Sequence, residues 1–72
     1  MNMILFDPLW DTLKKQGRST YWLRESCGID SKTIRRLRSN ENMETKTLNK
    51  LCTVLECDLC DIMTYVKDEH LK

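Results

Sequence analysis

The residues best equipped for chemistry in this chain are the cations of one short run, SKTIRRLR, from Ser31 to Arg38. Lys32, Arg35, Arg36 and Arg38 share it with no acid among them. Cations so crowded suit phosphate or a ring of acceptor atoms, because guanidinium groups donate in a planar fork. The ordinary alternative is a solvated helix face. Such a face normally mixes signs, and Lys32 with Arg36 is a like-charge i,i+4 pair that costs a few tenths of a kcal/mol.

Other reactive residue types lead less far. Cys57-x-x-Cys60, with Cys52 five residues earlier and Cys27 distant, has the look of a zinc site or a redox switch. No second ligand pair or nearby histidine completes a tetrahedral set. Both cysteines straddle the expected start of a last helix, between Leu55 and Leu59, where small buried residues are wanted. They are therefore read as structural thiols, with no metal and no cofactor. His70 is the sole histidine and falls in the tail, so a histidine-based triad is not credible. The acids of the last third, Glu56, Asp58, Asp61, Asp68 and Glu69, read as a solvated face rather than a catalytic pair. With no nucleophile and base set together, the chain is not expected to be an enzyme. Trp10 and Trp22 stand at helix-packing positions and are assigned to a core or a subunit interface rather than to stacking on a ligand.

The charge is segregated. The 72 residues have a formal net charge of only +1. Between Thr12 and Asn40, however, Lys14, Lys15, Arg18, Arg24, Lys32, Arg35, Arg36 and Arg38 face only Glu25 and Asp30. The remainder of the chain is acidic. A basic middle of this kind attracts phosphate despite the neutral average. No apolar stretch approaches the ~20 residues of a membrane span, and the start MNMILFDPLW lacks a basic region ahead of a long apolar one. The expected compartment is the cytoplasm, and the expected organisation is one domain over 1–72.

Two glycines and one proline leave few turns for a small barrel, and periodic leucines favour an all-α bundle. Asp7-Pro8 predicts the cap and first residue of helix 1, running to about Gln16 and stopped by Gly17. Ser19 caps helix 2, Thr20 to about Ser26, which Gly28 ends. Asp30 caps helix 3, Ser31 to Arg38, with Ile29 and Ile34 spaced as a hydrophobic staple. Leu48, Leu51, Cys52 and Leu55 form one apolar stripe on helix 4, beginning near Glu44 or Thr45. Asp58 and Asp61 resemble a capping box opening a short helix 5 that buries Leu59, Ile62 and Met63. Met3–Phe6 and Thr64–Lys67 have moderate strand propensity. They either pair antiparallel and tie the ends together or pair across a dimer.

At ~100° per residue, Ile34 and Leu37 mark the inner side of helix 3. Lys32 and Arg36 fall almost opposite, flanked by Thr33 and Arg35. A short helix, a glycine turn and a second capped helix compose a helix-turn-helix over 19–38, whose second helix enters the DNA major groove with its N-terminal residues at base edges. Its outward side chains are the basic ones. Lys32 and Arg36 can donate to guanine O6 and N7, while Ser31 and Thr33 can reach bases or phosphate. Arg18, Arg38 and Lys46 suit backbone contact.

The stretch STYWLRESCGIDSKTIRRLRSNEN followed by METKTLNKLCTVLECDLCDIM resembles the Cro and phage-repressor type of helix-turn-helix regulators, the XRE-like family, in its short stand-alone bacterial form. Leu23, Gly28, Ile29, Ile34 and Leu37 stand at the framework positions, and the likeness covers roughly Asp7 to Met63. It implies a five-helix, lambda-repressor-like DNA-binding fold with Ser31, Lys32, Arg35 and Arg36 facing base edges. It also implies phosphate contacts from Thr20 and from Asn40 to Asn42. Three departures stand out. Arg24 replaces the usual small residue after Leu23, so the helix pair either packs less closely or lets the arginine snorkel outward. Thr20 replaces a common glutamine and weakens the phosphate clamp. Asn40 replaces a glycine at little cost, since asparagine tolerates the left-handed conformation.

The expected function is sequence-specific binding of double-stranded DNA by a transcriptional regulator, a repressor. One reading helix covers few base pairs, so a homodimer on a palindromic operator is expected, with half-sites ~34 Å apart. The rival is a protein-binding module, antitoxin-like or an adaptor, on the same fold.

Overall fold

The computed structural model describes residues 3–67, and the readings above for Asp68, Glu69 and His70 lie outside them. The order is β1 (Met3–Leu5), α1 (Asp7–Lys15), α2 (Thr20–Cys27), α3 (Ser31–Arg38), α4 (Thr45–Leu55), one 3-10 turn (Leu59–Asp61) and β2 (Thr64–Val66). Each helix supplies the apolar residues its spacing promised: Leu9 and Leu13 from α1, Leu23 from α2, Ile34 and Leu37 from α3, and Leu48, Leu51 and Leu55 from α4. Phe6, Ile29 and Ile62 complete the core, which contains no polar or charged side chain among the described residues. Helices of eight residues do not hold in water alone. Packing holds them here, since each buried leucine or isoleucine is worth about 1.5–3 kcal/mol.

Two expectations at the ends of helices are corrected. Asp7 is not the cap of α1 but its first residue; Phe6 occupies the cap position and offers no side-chain bond. The cause is tertiary: Phe6 is buried, and its N–H donates to Asn40 Oδ1 at 2.8 Å, which fixes the chain one residue earlier. Asp7 then serves α1 as a negative charge in its first turn, where the helix dipole favours one. The expected fifth α-helix is only a 3-10 turn. The Asp58 N–H donates to Asp61 Oδ2 at 3.1 Å, so the reciprocal aspartate pair closes a turn that goes no further. Ile62 is buried and Met63 half-buried, but Leu59, expected inside, is exposed. So short a turn cannot present three apolar residues to one side, and the chain departs at once into β2.

The terminal segments pair within the chain. β1 and β2 are antiparallel, with Met3 opposite Val66, Ile4 opposite Tyr65 and Leu5 opposite Thr64. Two long-range side-chain bonds tie the first helix and the residue after it to the later part of the chain. Thr12 Oγ1 donates to the Asp61 carbonyl at 2.7 Å, and Gln16 Nε2 to the Leu55 carbonyl at 2.8 Å. No helix among the described residues is long and apolar enough to cross a membrane.

Candidate nucleic-acid interface

The α2–α3 unit is fixed by local bonds before any tertiary contact is counted. Ser19 Oγ accepts from the Trp22 N–H at 3.2 Å, which starts α2. Gly28 ends it at φ +72°, a conformation costly for most residues with a Cβ, and the Ile29 N–H returns to the Leu23 carbonyl at 3.0 Å. Asp30 Oδ1 then accepts from the Thr33 N–H at 2.8 Å and starts α3. Ile29 and Ile34 are both buried, so the staple and the cap together set the angle at which α3 leaves the turn.

On α3 the inner and outer faces separate as the periodicity requires. Ile34 and Leu37 are 6% and 0% exposed, while Ser31, Lys32, Arg35, Arg36 and Arg38 are all exposed. None of these cations pairs with a carboxylate among the described residues. Burial of Ile34 and Leu37 outweighs the few tenths of a kcal/mol lost to like-charge repulsion. The helix therefore keeps a positive face with no ion pair among the described residues. Its capping acid, Asp30, is held below the usual carboxylate range, first by hydrogen bonding from Thr33, side chain and then backbone, and less by Lys32 and Arg36. It stays ionised at the N-terminus of α3.

The remaining sequence-assigned residues are placed unevenly. Thr33 is half-buried with its N–H already bonded, and Thr20 is half-buried at the first position of α2. Asn40 takes φ +56° as anticipated, but its Oδ1 is occupied by Phe6, leaving only the amide nitrogen for a ligand. Arg36, Asn40, Glu41 and Asn42 line one open recess, and Thr33 and Lys46 share a second with Gly28, Asp30 and Lys50. Arg18 and Arg38 stand elsewhere, over the faces of Trp22 and Trp10 at 4.3 and 5.0 Å. Both tryptophans pack half-buried against the core, as their positions implied, and each turns an outer surface to an arginine. Such contacts are worth about 0.5–1 kcal/mol at exposed sites, little enough for either arginine to leave for a phosphate.

Two cations near the interface escaped assignment from sequence. Lys50 shares the recess with Lys46, a placement that needs the α3–α4 packing to be seen. Arg24 was noticed only as a departure; it does snorkel outward, and Nη1 donates to Ser31 Oγ at 3.5 Å. The thiols also need one correction. Cys60 is exposed rather than buried, because the 3-10 turn carries it outward, while Cys52 and Cys57 are half-buried. Burial first, and the neighbouring Cys52 second, push the Cys57 thiol up.

Among solved structures, the fold is similar to the crystal structure of the transcriptional regulator VanUg in its Form II, with a TM-score of 0.84 and 28% sequence identity over 93% of this chain and 89% of that one. No curated protein matches. The family model of the Cro/C1-type helix-turn-helix (HTH) DNA-binding domain matches residues 8–68. That span contains all of α2, α3 and α4, α1 but for Asp7, and the whole positive face just described, and the chain belongs to the Cro/C1-type HTH family.

Proposed function

We propose that this protein is a transcriptional regulator, acting as a repressor, that binds double-stranded DNA with α3 in the major groove. The observation that carries the reading is the outer face of α3, exposed and bearing four cations and no acid, on a helix whose two apolar residues are buried. Ser31, Lys32, Arg35 and Arg36 read base edges. Arg18, Thr20, Thr33, Arg38, Asn40, Asn42 and Lys46 hold the backbone. The protein acts in the cytoplasm as a homodimer on a palindromic operator, and residues 1–72 form one domain. Support for the dimer comes from the side chains left in solvent. Met3, Ile4, Leu59, Tyr65 and Val66, five of the six large exposed hydrophobics among the described residues, lie on β1, β2 and the 3-10 turn.

That apolar end also gives some support to a protein-binding use of the same fold, which salt separates from the first reading. DNA binding releases counterions and weakens steeply with added salt. The test is selection of bound sequences from a random duplex pool, followed by titration of variants. Arg36→Ala is expected to lower preference at one base pair by about 10- to 100-fold. Arg18→Ala is expected to weaken all sequences alike and reduce the salt slope by about one. An Arg36→Ala protein that still ranks target over scrambled DNA as before would overturn the base-reading role.

A further inference from the structure

Arg24 stands on α2, and its guanidinium does not merely trail into solvent. It reaches across the turn to the first residue of α3, with Nη1 3.5 Å from Ser31 Oγ. Nη2 lies 3.9 Å from the Glu25 carboxylate, and the group stands 5.8 Å from the centre of the Tyr21 ring. Each contact is at the long limit of its kind, and an exposed ion pair adds little stability. Asp30 caps the start of α3 with a carboxylate, and Arg24 is left with donors that the protein does not use. Acceptor atoms brought to the start of α3 would meet them.

We propose that Arg24 is a further base-reading residue, forming with Ser31 the leading edge of the recognition surface and donating to a guanine at the margin of the half-site. The proposal rests on the DNA-binding reading and sharpens it. Depth in the groove decides between base and phosphate. N-terminal residues of a recognition helix lie at base edges, so a guanidinium bonded to Ser31 shares their level. The planar fork matches guanine O6 and N7.

The test measures the affinity of the wild-type protein, Arg24→Ala and Arg24→Lys for the selected duplex and for each single-base-pair variant of it. The wild type is expected to prefer one guanine that Arg36 does not read. Arg24→Ala should flatten that one preference by about tenfold or more and leave the others intact. Arg24→Lys should keep the salt slope but lose part of the preference, since a lysine keeps the charge without the fork. Uniform weakening of every duplex by Arg24→Ala, with a slope lower by about one, would make Arg24 a phosphate contact and overturn the proposal. Unchanged binding by both variants would overturn it as well. Wild-type protein with no sequence preference would sink the DNA-reading function itself, an outcome seen before any variant is compared. Arg24 is 42% exposed, so far-UV circular dichroism of both variants should match the wild type.

Discussion

Asp30 is the acid that the basic site retains, and its role follows from one bond. Its carboxylate receives the Thr33 N–H, lies at the positive end of α3 and is held below the ordinary value of 3.8. A carboxylate with a depressed folded pKa stabilises fully above its unfolded pKa and loses that contribution as pH falls through the folded value. Asp30→Asn keeps an acceptor oxygen but no charge. The variant is expected to be less stable than the wild type at neutral pH, and the gap should close as thermal unfolding is followed from about pH 5 downward through the carboxylate range. A gap that persists undiminished in strong acid would show that the charge is not what Asp30 contributes. Asp30, Ser19 and the Ile29–Ile34 staple were all legible in the sequence, because each acts on a partner within five residues. Asp7 was misread for the opposite reason: Asn40, far along the chain, decides where α1 begins.

Among the elements, α1 to α4 were legible because burial repeats with the helical period, and one stripe of leucines is enough to specify each. The segment after α4 was not. Leu59, Ile62 and Met63 fit a helical stripe, but the aspartate pair and the onset of β2 stop the helix after one turn. The end of α4 also lacked a signal, since Glu56 rather than glycine or asparagine takes the left-handed conformation there, at φ +50°. The loop after α3 joins two elements through Asn40, which makes it separable by mutation. Asn40→Gly keeps the backbone conformation and removes the acceptor for the buried Phe6 N–H, a loss of about 1–3 kcal/mol. Asn40→Ala adds the strain of a left-handed alanine, about 1–2 kcal/mol more. Chemical denaturation should rank wild type above Asn40→Gly above Asn40→Ala. An alanine variant as stable as the glycine one would mean that the positive φ is not maintained in solution.

For the whole molecule, charge and apolarity are set on different elements, and this arrangement connects DNA reading with assembly. Basic residues are densest on α3, whereas most of the exposed apolar side chains among the described residues collect on the two-stranded sheet and the neighbouring turn. A sheet of two three-residue strands has two open edges and is marginal by itself. A second copy laid against Ile4 and Tyr65 would cover that surface. The sequence offered pairing of the ends only as one of two options, because strand propensity says nothing about whether a partner strand belongs to the same chain. Ile4 is 42% exposed, so Ile4→Glu should leave the fold intact while placing two carboxylates in the proposed interface. Sedimentation is expected to show a wild-type dimer and an Ile4→Glu monomer. On a full palindrome the variant should lose about 10²-fold in affinity through lost avidity, and on an isolated half-site it should lose almost nothing. An Ile4→Glu protein that remains dimeric would move the interface away from the terminal sheet, and equal losses on both duplexes would mean that the substitution damages the reading surface instead.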